Sequence, residues 1–251
     1  MSSIGISAIV FACVFGGAMF GVFLRAVLPE HHRNPESKDV VKLGMGLVAT
    51  MCALILGLLV SSAKSYYDTQ SSELTEMSSK IVMLDRLLAH YGPETKEIRG
   101  MLRTWASDSL DRMWSKQSAS SPQSEAPPTE REVLIEKIQE LSPKDDKQRA
   151  LQTQALSLTM DLARMRWLQY MQGASSISMP LLVILVFWLS TIFMSFGLYA
   201  PANGTVLTSL FVAGLSVSGA ILLILEMYTP YKGLIQVSSA PLSHALMQMG
   251  K

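Results

Sequence analysis

Residues 167–225 run for 59 positions without one Asp, Glu, Lys, Arg or His. That is enough chain for two apolar helices, each needing about 20 residues to cross a hydrocarbon core of roughly 30 Å. The break between them is Ala200-Pro201-Ala202-Asn203-Gly204, a turn sequence. Spans are therefore predicted over about 178–199 and 204–228. Residues 1–24 are also free of charge, and 4–28 is long enough to cross. A signal peptide is disfavoured there, because no basic segment precedes the apolar run and the run outlasts an h-region of about 7–15 residues. Residues 43–63, uncharged between Lys42 and Lys64, form another span. Four crossings place both termini and the segment 64–177 on one side of the membrane.

Charge is segregated accordingly. The 251 residues have a net charge of +1, only 16% are charged, and 31 of the 41 charged side chains fall within 64–166. A soluble domain carries about 25%. An ordinary globular enzyme, a disordered chain and a basic nucleic-acid binder are all disfavoured, so no nucleic-acid partner is expected. The fold class predicted is all-α: a four-span transmembrane bundle with long helices extending into a stalk. Its parts are 1–63 (spans one and two), 64–177 (a helical insert with a flexible Ser/Pro-rich loop at 117–130), 178–228 (spans three and four) and an amphipathic tail at 229–251.

Within the insert, Leu74, Met77, Ile81, Leu84, Leu88 and Tyr91 are spaced 3, 4, 3, 4, 3. This is a heptad seam, and no helix breaker separates it from span two, so span two should continue to about His90. Gly92-Pro93-Glu94 stops it and opens a helix over about 94–115 that offers Ile98, Leu102, Trp105 and Met113. A short helix at about 130–141 follows the loop. A long one from about 145 carries Leu151, Ala155, Leu158, Leu162 and Met165, and should pack antiparallel on the seam.

Small residues recur in the spans: Ala8, Ala12 and Gly16, Gly17-x-x-x-Gly21, a row at Gly46, Ala49, Ala53, Gly57 and Ser61, and Gly214 with Ser218. They let helices approach closely in lipid, within one chain or between copies. Carried backward, the stalk seam reaches Ala63, Val60, Leu56, Ala53, Ala49 and Gly46, so that face is predicted to meet protein. The opposite face, Met51, Ile55, Leu58, Ser62 and Ser65, meets lipid or lines a central path. Glu226 closes the last apolar stretch at the same membrane face as Lys64, so an interfacial ion pair between them is predicted. Both cysteines, Cys13 and Cys52, fall in spans and are expected to pack as small apolar groups. His31-His32 is read as a solvated loop, and His90 and His244 are isolated, so neither a metal site nor a cofactor is expected. The chain lacks G-x-x-x-x-G-K-[ST], H-E-x-x-H, C-x-x-C and G-x-S-x-G, so no catalytic residues and no enzymatic activity are expected.

Three blocks then carry a resemblance. They are Gly57-Leu-Leu-Val-Ser-Ser-Ala-Lys64 with Tyr67-Asp68-Thr69-Gln70, Phe196-Gly197-Leu198-Tyr199-Ala200-Pro201 with Asn203, and Leu223-Ile-Leu-Glu226 continuing through Pro230 to Leu242. Gly92-Pro93-Glu94 fits as well. Over nearly its whole length the chain resembles the bestrophin-like family of bacterial integral membrane proteins, whose common function is open. More remotely it is similar to the bestrophin ion channels. That resemblance implies a homo-oligomer, a pentamer, in the bacterial inner membrane, with the insert and both termini cytoplasmic. It implies a pore lined by span two (here Met51, Ile55, Leu58, Ser62 and Ser65) and partners that are membrane lipid and inorganic ions. A non-conducting scaffold or signalling protein acting through its cytoplasmic helices is the alternative. The aromatic neck of animal bestrophins and the acidic calcium-binding run after span four are missing, since that segment reads Thr229-Pro230-Tyr231-Lys232-Gly233. Calcium gating is therefore not carried over.

Overall fold

A computed structural model of the chain describes residues 2–27, 35–114, 128–172, 179–201, 203–231 and 233–249. The described residues are helical and contain no strand: α1 (Ser3–Val27), α2 (Pro35–Tyr91), a single 3-10 turn at Pro93–Thr95, α3 (Lys96–Trp114), α4 (Pro128–Gln139), α5 (Asp146–Gln172), α6 (Met179–Tyr199), α7 (Gly204–Met227) and α8 (Ala240–Gln248). Four of them, α1, α2, α6 and α7, are long and apolar enough to cross a membrane. The His31-His32 loop lies outside the described residues, and so does the predicted flexible loop as far as 127; its last three positions open α4. Two compact units form, Met1–Tyr66 with Ser176–Tyr228 and Tyr67–Ser175 with Thr229–Lys251. The unbroken α2 contributes to both, as its lack of an internal breaker requires.

The first unit is built on α1 packed against α6 and α7. Val10, Val14 and Ala18 share a core with Leu185, Leu189, Ile192, Ile221 and, from α2, Cys52, Leu59 and Ala63. Glycine sets the α1–α6 distance. A Cβ on Gly17 would lie 2.7 Å from the Ser190 carbonyl oxygen. One on Gly21 would collide with the Met194 backbone, and one on Gly197 with the Ala18 backbone. The helices thus meet backbone to backbone, an approach that lipid-embedded helices use because apolar burial gives them little driving force. Ser7 Oγ donates to the Ser218 carbonyl at 2.7 Å, and Ser218 Oγ to Gly214 O at 2.9 Å, so buried hydroxyls join α1 to α7 without an unmet donor. Asn203 caps α7 by accepting from the Val206 N–H, and Arg25 donates to the Ala200 carbonyl just past the end of α6.

The second unit is built on the predicted seam. Leu74, Met77, Ile81, Leu84, Leu88 and Tyr91 are all buried, in contact with a core that includes Ile98, Leu102, Trp105, Ala155 and Leu162. α5 runs antiparallel to this part of α2: Lys80 pairs with Asp161 at 3.2 Å, while Gln148 Nε2 donates to the Tyr91 carbonyl at 3.0 Å. Gly92 ends α2 with a φ of 141°, a conformation that L side chains rarely adopt. Beyond it the buried Thr95 donates to the carbonyls of Leu88 and Gly92 at 2.5 and 2.8 Å, satisfying the exposed end of the helix. Glu94 and Lys144 pair at 2.6 Å, and the hydrogen bond from Lys144 holds the Glu94 carboxyl below its ordinary range. The amphipathic tail, which from sequence could lie on the membrane or dock to a neighbouring subunit, turns its apolar stripe inward. Leu242, Ala245 and Met249 of α8 and its end are buried in the second unit's own core. Hydrogen bonds fasten the preceding segment: Tyr67 Oη to Gln236 O at 3.0 Å, Trp114 Nε1 to Val237 O at 3.1 Å and Tyr231 Oη to Gln70 Oε1 at 3.3 Å.

Candidate functional site

The spanning part of α2 is the least covered of the four apolar helices. Only 11% of its most apolar window is buried, against 28% for each of the other three. Its covered face consists of Cys52, Leu59 and Ala63, flanked by the half-buried Met45, Val48, Ile55 and Leu56. Gly46, Ala49, Ala53, Gly57 and Val60 are exposed, and a Cβ on Gly46 or Gly57 would meet nothing within 4 Å. Carried backward, the stalk seam is thus covered within the chain at Ala63 and Leu56 but not at Val60, Ala53, Ala49 or Gly46. An ideal helix drifts about 20° per heptad from a strict 3.5-residue repeat, so over the four heptads from Leu74 to Gly46 the stripe rotates by about 80°.

Of the residues proposed from sequence as a lining, Met51 is 45% exposed and Leu58 62%. Ser62 and Ser65 are exposed as well, whereas Ile55 is half-buried against the core. Hydroxyls follow the hydrophobic positions down this side of the helix. Thr50 answers its own hydroxyl by donating to the Leu47 carbonyl at 2.7 Å. Ser62 Oγ lies 3.0 Å from the Tyr228 hydroxyl, and Tyr228 stacks on Tyr66 with ring centroids 5.4 Å apart. Sequence reasoning passed over this tyrosine pair. Its available signal was two aromatics with polar tips at the boundary of two predicted spans. Lys64 is exposed on α2, and Glu226, in the last turn of α7, is 5% exposed. Cys52 packs in the core as expected, whereas Cys13 is exposed.

The remaining small-residue rows separate by face. Gly17, Gly21, Gly214 and Ser218 are used inside the chain, while Ala8, Ala12 and Gly16 of α1 are exposed, as the small-residue row of α2 is. Two helices of the same unit therefore each present an unused close-packing stripe.

Comparison with known proteins gives one match. The family model for the Bestrophin-like domain covers residues 12–242. No curated protein and no solved structure matches the chain. The family match takes in α1 from residue 12 on, the other three apolar helices and the whole polar insert: the chain is a multi-pass membrane protein that belongs to the Bestrophin-like family.

Proposed function

We propose that this protein is a subunit of a homo-oligomeric, ion-conducting membrane assembly whose axial path is lined by α2 at Met51, Ile55, Leu58, Ser62 and Ser65. The observation that supports it is the exposure of α2. A helix that is buried along its stalk and left mostly uncovered along its span has room along that span for other copies. The exposed glycine and alanine row gives the close subunit contacts, and the opposite face, greasy at Met51 and Leu58 and then hydroxylated at Ser62 and Ser65, gives a constriction opening into a polar mouth. The reading includes five subunits, by likeness to bestrophins, in the bacterial inner membrane with insert and termini cytoplasmic. It is non-enzymatic, with lipid and inorganic ions as partners. Purified protein in planar bilayers should conduct. In a background with Cys13→Ser and Cys52→Ala, Leu58→Cys should make the current sensitive to a charged thiol reagent. Absence of current, or a current indifferent to modification at Leu58, overturns the lining; a monomer or dimer without conductance favours a scaffold working through the stalk.

Glu226 and Lys64 are proposed to pair within the first unit. Glu226 is nearly buried and is best served by a compensating charge, and the exposed Lys64 makes the pair interfacial, so losing it should cost less than the about 3–5 kcal/mol of a fully buried pair. Glu226→Lys should therefore impair assembly, and Glu226→Lys with Lys64→Glu should restore it, read by size-exclusion chromatography in detergent. Additive defects in the double variant would sink the pairing.

A further inference from the structure

The inner stripe of α3 ends on an unmet guanidinium. Trp105, Ser109 and Arg112 follow at spacings of 4 and 3, so they share one helix face, and Trp105 and Ser109 are buried. Arg112 Nε and Nη2 are shut off from solvent and have no hydrogen-bond acceptor among the described residues. Ser109 Oγ, one turn earlier and in a residue only 1% exposed, has no partner either. These two nitrogens form the edge of the guanidinium that binds carboxylates in bidentate fashion. The same helix shows what that edge takes: Arg99 Nε and Nη2 donate to the two oxygens of Asp85 at 2.7 and 2.9 Å. Arg112 presents the same edge with no acceptor on it among the described residues. Buried donors left unpaired cost free energy that a folded protein avoids, most of all on a charged group.

We propose that Arg112 and Ser109 form a binding site for a small planar oxyanion of the carboxylate type. Arg112 supplies two parallel N–H donors and the charge, and Ser109 supplies a hydroxyl donor from the adjacent turn. The site lies wholly within the second unit, and the inference is independent of ion conduction.

Sodium formate is the probe, titrated into the full chain in detergent at ionic strength held constant with sodium chloride. Thermal unfolding and the fluorescence of the chain's tryptophans, two of which (Trp105 and Trp114) lie on this helix, are the readouts. A saturable rise of the midpoint, with a saturable fluorescence change at the same concentrations, is expected. Arg112→Leu should abolish both. Arg112→Lys, which keeps charge but loses the fork, and Ser109→Ala should each weaken half-saturation by about tenfold, the loss of one charge-assisted hydrogen bond. Arg103→Leu, at an exposed arginine of the same helix, should leave the response unchanged. No saturable response in the unaltered protein overturns the site, as does a response that survives in Arg112→Leu or is lost equally in Arg103→Leu. If Arg112→Leu does not fold, unaltered half-saturation in both Arg112→Lys and Ser109→Ala overturns it.

Discussion

Gly21→Leu should be among the most damaging single substitutions in the first unit, lowering its stability by about 3 kcal/mol. The reason is what lies opposite. Even a methyl at Gly21 would run into the Met194 carbonyl and the Leu198 N–H, both backbone, and neither can turn aside as a side chain would. α1 and α6 must separate, and the packing of Val14 and Ala18 against the shared core goes with them. Gly197→Leu drives the same pair apart from the other side, through Ala18 and Val22. The two changes break one contact, so the double variant should be less destabilised than the sum of the singles. Gly16→Leu is the control, since none of the described residues lies within 4 Å of its added Cβ. Thermal unfolding followed by circular dichroism in detergent reads all four. Equal midpoints for Gly21→Leu and Gly16→Leu would mean that α1 and α6 are not in backbone contact.

The second large effect belongs to Asp85→Ala, which should cost the second unit about 3–5 kcal/mol. Asp85 is 5% exposed, and both its oxygens are taken by Arg99, so α2 and α3 are joined by a bidentate pair at the level of Leu84 and Leu88. The carboxylate in turn holds the Arg99 guanidinium above its usual pKa, through their hydrogen bond first. Truncating the acid leaves that cation, only 27% of whose side chain is exposed, without its partner. Replacing both groups together, Asp85→Leu with Arg99→Leu, should recover much of the loss, because the desolvation of two charges disappears along with their attraction. Urea unfolding measures the three variants. A double variant no better than Asp85→Ala would show that the cost comes from lost shape and not from an orphaned charge.

The two cases mark how far the chain could be read before its coordinates. The stalk seam was legible because burial of a 3-and-4 spacing is enforced by one physical quantity, apolar area removed from water, and each of its six positions is buried in the structure. The Asp85–Arg99 pair was not. Alternating charge along a helix reads as a solvated face, and only the packing of α3 beside α2 brings these two charges together. Arg112 and Ser109 escaped for the same reason, sitting on a stripe whose earlier members are ordinary core residues.

Uncharged length alone decided that four helices are apolar and long enough to cross a bilayer, and continuity without a breaker decided that the second runs on into the polar unit. Both follow from local rules, since the water-to-lipid transfer of a segment and the persistence of a helix depend on that segment's own residues. Which glycine row is spent inside the chain and which is left for another surface depended on the folded arrangement. Gly17-x-x-x-Gly21 and the Gly46-to-Gly57 row carry the same small side chains, yet one lies against α6, while Gly46 and Gly57 of the other meet nothing among the described residues. The tail shows the same division: Leu242, Leu246 and Met249 make an apolar stripe that suits lipid or protein alike, and its place in the second core was fixed by the partners three-dimensional packing brought beside it. Hydrophobic contact has no address written in the residue itself, because its free energy comes from removing water or lipid and is nearly indifferent to which surface does so.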